Sequence, residues 1–255
     1  MMKNIGIAVL ALLLPGAVNC FAGEWKYSGI VAASYNETHV SSNWSGSEQN
    51  SKSWMMKGDF RARKESDVLS RRNTLKAEYG QSSVSDSPSQ VTADLIDMES
   101  VVMRKFNLYV NPYAAVSLVS QFNEFFDPVV AGQSLGLGWQ LVEKENQDLS
   151  LRLGGALRQT FKSSEKPVYG SGAESAVNYS IGFGSGRKFV SELKVFTPFD
   201  GSADLRWDSS LYVKLREYLS ASLGYLAVLG PEPQSFPKDV QTRVTTGLAF
   251  SFNLL

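Results

Sequence analysis

Along most of the chain, apolar side chains recur at every second position, the spacing of a β-strand whose successive side chains point to opposite faces. Twelve such segments can be traced, each of roughly ten residues, and helical spacing is nearly absent. The first carries Trp25, Tyr27, Val31, Ala33 and Tyr35 on one face. The second sets Trp54, Met56, Phe60 and Ala62 against Lys57, Asp59, Arg61 and Arg63, and the third sets Leu75, Ala77 and Tyr79 against Lys76 and Glu78. The fourth (Ile96, Met98, Val102) and fifth (Val110, Ala114, Val116, Leu118) are less regular, and Pro112 weakens the fifth because proline cannot donate to a ladder. Cleaner alternation follows through Leu135, Leu137, Trp139 and Leu141, then Leu149, Leu151, Leu153 and Leu157, then Val177, Tyr179, Ile181 and Phe183. The next three segments carry Phe189, Leu193, Val195 and Phe199; Leu205, Trp207, Leu211, Val213 and Leu215; and Leu219, Ala221, Leu223, Tyr225 and Leu229. The twelfth is the stretch DVQTRVTTGLAFSFNLL at the carboxyl end.

Alternation alone does not say whether the apolar face points inward, as in a soluble sandwich, or toward lipid, as in a membrane barrel. Segment length favours lipid, because a tilted strand needs roughly 9 to 11 residues to cross a bilayer while ordinary strands run about 5 or 6. Large aromatics fall toward segment ends, at Trp25, Tyr35, Trp54, Tyr79, Trp139, Phe183, Phe199 and Phe252, where amphipathic rings favour the membrane boundary. Connections also alternate: 38–53, 82–92, 123–131, 162–173 and 230–238 are long, whereas those around 106–107, 185–186 and 217–218 are tight. The connection at 200–202 breaks this rule. An even strand count lets the last strand pair with the first, which leaves no backbone edge unsatisfied in hydrocarbon. The pattern predicts an all-β, transmembrane, antiparallel up-and-down β-barrel of about 12 strands.

The amino end supports export. Lys3 precedes an unbroken apolar or small run at 5–14, broken by Pro15 and Gly16, which reads as a signal peptide cleaved after Ala22. That run is too short for a membrane helix, which needs about 20 residues. The chain thus divides into a signal peptide, 1–22, and an outer-membrane barrel, 23–255, placed in a Gram-negative envelope. Cys20, the one cysteine, lies in the leader, so neither disulfides nor thiol metal sites are available to the mature chain. Equal numbers of acidic and basic residues give no reason to invoke nucleic acid.

Within the last segment, Thr245, Gly247, Phe250 and Phe252 resemble the terminal signal by which outer-membrane barrels engage the barrel assembly machinery. The stretches GEWKYSGIVAASYNET, SLGLGWQLVEKENQDLSLRLGGALRQTF and LKVFTPFDG through DVQTRVTTGLAF are similar to the salt-stress-induced outer-membrane protein family, whose function is unknown. That resemblance implies a barrel in contact with outer-membrane lipid and implies no chemistry.

Enzymatic function is not expected. Serine hydrolysis needs a base beside the nucleophile, and the only histidine, His39, lies among Ser41 and Ser42 in the first long connection, where it reads as solvated. Asp86, Asp94, Glu124 and Asp127 read as loop carboxylates, and the runs GSGAES and GSGRKF as turns rather than phosphate loops. No catalytic residue, cofactor or metal site is assigned.

The polar face is more informative. Strand parity points Lys57, Arg61, Arg63, Lys76, Arg152, Arg158, Lys194, Arg206, Lys214, Arg216 and Arg243 inward, together with Asp59, Glu78, Asp97, Glu99, Glu192, Asp204 and Asp208. Strands two and three, and nine and ten, are expected to pair opposite charges. Small residues between them, such as Gly136, Gly138, Gly154, Ser180, Gly182, Ser222, Gly224 and Gly247, leave space. The excess of basic residues predicts a porin-like, narrow passive channel for small polar solutes or ions with weak anion preference. The alternative is a non-conducting structural, stress-adaptive or ligand-binding envelope protein whose lumen is filled by ion pairs.

Overall fold

The computed structural model describes residues 24–38, 50–85, 87–106, 109–124, 126–163, 165–184, 186–230 and 241–254. Among them run twelve strands: β1 (Trp25–Thr38), β2 (Ser51–Glu65), β3 (Leu69–Val84), β4 (Gln90–Arg104), β5 (Asn111–Ser120), β6 (Val129–Lys144), β7 (Gln147–Phe161), β8 (Val168–Phe183), β9 (Arg187–Pro198), β10 (Asp204–Lys214), β11 (Leu219–Leu229) and β12 (Gln241–Leu254). Each pairs antiparallel with its sequence neighbours, and β12 pairs with β1, so the sheet closes into a barrel. Closure gives every strand a hydrogen-bonding partner on both sides. The expected leader, 1–22, and the connection holding His39, Ser41, Ser42 and Trp44 lie outside the described residues, as does Asp86.

The strands hold 10 to 16 residues, longer than the apolar alternation suggested. The stretch 82–92, expected as a long loop, is mostly ladder: β3 reaches Val84 and β4 starts at Gln90. Gln81, Ser82 and Ser83 lack an apolar face, but backbone pairing does not require one, and Ser82 and Ser83 lie opposite Ser53 and Lys52. The contrast between the two ends survives in weaker form. One end carries connections 39–50, 85–89, 121–128, 162–167, 199–203 and 230–240, and the other carries 66–68, 105–110, 145–146, 184–186 and 215–218. We call these the loop end and the turn end. The run GSGRKF starts in a turn, with Gly184 and Gly186 at φ of 63° and 99°, a region that side chains with a Cβ rarely enter, whereas GSGAES, also read as a turn, lies within β8. Pro112, the weak point of the fifth segment, lies inside β5 after all. The β4 ladder ends at the pair Met103 and Tyr113, so no hydrogen bond to β4 is asked of Pro112.

Register fixes the faces. The outward row includes Leu135, Leu137, Leu153, Leu157, Leu223, Leu248 and Phe250, each at least 45% exposed. Exposed Tyr35, Tyr169 and Phe199 stand at the loop end, and Tyr27, Phe183 and Tyr218 at the turn end. An apolar belt between two aromatic rows is the exterior of a transmembrane barrel, since leaving such a surface in water would be unfavourable and aggregation-prone. In water-soluble barrels the charges are outside; here they converge on the axis.

Candidate functional site, the charged lumen

The strands place Lys57, Asp59, Arg61 and Arg63 of β2 and Lys76 and Glu78 of β3 on the inner wall. Asp97 and Glu99 of β4, Arg152 and Arg158 of β7, Glu192 and Lys194 of β9, and Asp204, Arg206, Asp208 and Lys214 of β10 join them, with Arg243 of β12. Arg216 does not: it lies exposed in the β10–β11 turn, beyond the end of the ladder.

Pairing between neighbours holds for strands two and three, where Lys57 faces Glu78 and Asp59 faces Lys76 across the ladder. It fails for strands nine and ten. Their register sets Glu192 against Asp208 and Lys194 against Arg206, like charge against like. Directly opposed like charges are destabilising by themselves, and the compensation comes from the far wall. At one level, Lys76 donates to Glu192 at 2.7 Å, and Lys57 donates to both oxygens of Asp208 at 2.8 and 2.7 Å. At the next, Lys194 lies 3.4 Å from Asp97 and 4.0 Å from Glu99, while Arg206 lies 3.7 Å from Glu78. The barrel is therefore bridged at mid-height by two tiers of ion pairs. Because β3 and β9 are six places apart in a ring of twelve, the bond from Lys76 to Glu192 spans opposite walls.

Burial makes this arrangement consequential. Lys76 is 5% exposed and Glu78 2%. Charges removed from water in this way persist only when paired and hydrogen-bonded. Glu78 gathers Lys57 at 3.5 Å, Arg206, and Arg243, which donates to its second oxygen. Arg152, 1% exposed, donates to Glu99 at 2.8 Å and lies over the Tyr113 ring, 5.4 Å from its centroid.

Around this waist the lumen differs at its two ends. Toward the loop end, Arg158 pairs with Asp204 at 2.7 Å and stacks on Phe196 at 3.8 Å. Toward the turn end lies a cavity of about 470 Å³, lined among others by Ser28, Arg61, Ser180, Lys188, Tyr212 and Ser251. Arg61 binds Asp59 of its own strand at 3.0 Å. Arg63 binds Glu65 at 2.5 Å and reaches Glu143 at 2.8 Å near the β6–β7 turn.

Several inward residues escaped the sequence reading. Arg72 faces Arg63, Lys188 faces Tyr212, and Glu174 accepts a hydrogen bond from Ser134 at 3.0 Å. Tyr113, Val101 and Phe196 also turn inward, so the lumen wall is not uniformly polar. Tyr113 fits because its cross-strand neighbour is Gly136, which faces Gly154, and a Cβ on Gly154 would come within 2.7 Å of the Tyr113 hydroxyl. The inward glycines of β6 and β7 thus make room for close neighbours rather than for an open pore. The basic excess, likewise, is mostly committed: Arg152, Arg158 and Arg243 each hold a carboxylate.

Of the residues read as loop carboxylates, Asp94 instead lies within β4, opposite Tyr79, and Asp127 lies in the β5–β6 connection; both serve the backbone. Asp94 accepts the Phe122 and Asn123 N–H groups at 2.6 and 2.9 Å, and Asp127 accepts that of Ser163 at 3.1 Å. In β12, Thr245 and Gly247 face the lumen and Phe250 faces outward, on the strand that closes the barrel against β1. The side chain of Phe252 lies outside the described residues.

The family described as a protein of unknown function, DUF3078, matches residues 35–126, from the end of β1 into the β5–β6 connection. No curated protein matches the chain. Among solved structures, the translocator domain of the autotransporter NalP from Neisseria meningitidis is 10% identical, over 98% of this chain and 96% of that one, with a TM-score of 0.41. The NanC porin is 7% identical over 88% of this chain and 98% of that one, at 0.45. An outer membrane channel from Pseudomonas putida F1 is 12% identical over 94% of this chain and 99% of that one, at 0.45.

Proposed function

We propose that this protein is an outer-membrane barrel that provides a narrow passive route for small polar solutes or ions, with weak anion preference. The carrying observation is the inversion of polarity, an apolar belt around a charged lumen that holds a cavity of about 470 Å³. A solute path through lipid needs an inner wall of polar and ionisable side chains. In this reading the turn end faces the periplasm, lipid contacts the outer belt, and β12 presents Thr245, Gly247, Phe250 and Phe252 to the assembly machinery. Transport needs no catalytic group or cofactor.

One observation favours a second reading, a non-conducting envelope protein with a role in stress adaptation or ligand binding. The two tiers of ion pairs bridge the lumen from wall to wall, with Lys76 and Glu192 at 2.7 Å. Liposome swelling separates the two. A route predicts that vesicles carrying the folded protein swell faster in small amino acids than in disaccharides. Swelling no faster than in empty vesicles, from protein that shows the heat-dependent gel migration of a folded barrel, contradicts it.

A further inference from the structure

The ion pairs at mid-height neutralise most of the lumen, but not its turn-end half. Lys188 projects inward on β9 between Gly182 and Tyr212 and makes no hydrogen bond or ion pair with any described residue. Gly182 leaves the space beside it open, since a Cβ there would meet nothing nearer than 3.7 Å. Arg72 on β3 likewise has no ion pair among the described residues, and it directly faces another cation, Arg63. Arg61 lines the cavity with Lys188, and its charge acts on Lys188 together with that of Asp59, whereas Arg72 is acted on chiefly by Arg152, Glu99 and Glu192. The carboxylates near the same cavity are already engaged: Glu192 by Lys76 at 2.7 Å, Asp208 by Lys57 at 2.7 Å, and Asp59 by Arg61 at 3.0 Å. Asp148 lies 3.6 Å from Arg63, and Glu145 is exposed at the rim. Among the described residues, Lys188 is a lining cation without an ion pair, with Asp59, held by Arg61, as the carboxylate that acts on it.

Cations held close together behind low-dielectric walls raise the local concentration of anions and favour one that can bridge them. Oxyanions match this set best, because guanidinium and ammonium groups donate strong charge-assisted hydrogen bonds to phosphate or carboxylate oxygens. The hydroxyls of Ser28 and Ser180 line the same space. We propose that the turn-end cavity is a binding site for a small oxyanion of the phosphate or carboxylate class, held between Arg61 and Lys188 with Arg72 behind them. The proposal rests on the reading of the lumen as accessible to small solutes, and its test does not depend on conduction.

Inorganic phosphate and, separately, succinate are titrated calorimetrically into detergent-folded protein at low ionic strength. Saturable binding of at least one is expected, and the one that binds more tightly identifies the class. Lys188→Gln removes a cation with no carboxylate to orphan, so the barrel should still fold, and it should weaken binding about tenfold, as loss of one charge-assisted bond does. Arg72→Gln removes a cation set behind the cavity, beside Glu99 and Glu192, and should weaken binding less, and Lys162→Gln on the loop end should bind as the parent does. Absence of saturable binding to the parent protein, or unchanged binding in both K188Q and R72Q, overturns the site. Protein that binds phosphate but gives no swelling overturns the solute route and leaves the site. Protein that passes solutes but binds neither anion overturns the site alone.

Discussion

Glu192 has two cationic partners, Lys76 at 2.7 Å and Lys194 at 3.2 Å, whereas Glu192 is the carboxylate that Lys76 reaches across the lumen. Removing the acid therefore orphans more charge than removing the base. Glu192→Gln should destabilise the barrel by about 3 to 5 kcal/mol, the range for a broken buried pair, and Lys76→Gln by less. In the double variant the cost of losing Glu192 should shrink, because Lys76 is no longer left unpaired. Reversible urea unfolding in lipid vesicles measures this, and strict additivity would contradict a direct interaction. Which residues face the lumen was legible wherever an apolar neighbour sets the phase, as Phe60 and Ala62 do for Arg61. It was not legible for Arg72, within the doubly polar run Ser70-Arg71-Arg72-Asn73, or for Glu174, amid glycine, serine and alanine. Nor could the sequence reveal partners across the lumen, since curvature and closure, not strand order, bring β3 to β9.

At the scale of elements, β11 tests the assignment of faces. Leu223 points outward, 47% exposed, and Ser222 points inward opposite Tyr212 and Gly247. Arginine at Leu223 should cost about 2 to 4 kcal/mol near the bilayer midplane, and arginine at Ser222 clearly less; the same unfolding measurement reads both, and equal costs or the reverse order would contradict the register. The glycines of β6 make a second contrast. A Cβ on Gly136 would lie 2.1 Å from the Leu153 carbonyl oxygen, a backbone atom, whereas one on Gly138 would meet the mobile end of Met103 at 2.5 Å. Gly136→Ala should therefore cost about 1 to 3 kcal/mol, as forced overpacking does, and Gly138→Ala less. Strand existence and order were readable in the alternation of Leu135 through Trp139 or Leu219 through Tyr225. Strand ends were not, because polar stretches such as Gln81 to Ser83 join the ladder through backbone bonds that leave no mark on side-chain pattern.

For the whole molecule, closure and polarity inversion follow from an even number of amphipathic strands. Whether the enclosed space conducts depends on what crosses it. The excess of inward cations predicts a narrow channel with weak anion preference, but Arg152, Arg158 and Arg243 are each held by a carboxylate. Fixed charge is thereby gathered into a waist, and Arg72 and Lys188, which have no ion pair among the described residues, lie on its turn-end side. On the proposed route the waist is the element that limits passage. Single-channel recording in planar bilayers, comparing the parent barrel with the Lys76→Gln/Glu192→Gln variant, tests this most directly. Folded parent protein should give a small, steady conductance, and the variant, with the wall-to-wall bond removed, a larger one. Silence from both proteins, each demonstrably folded, would contradict the account and leave a closed barrel.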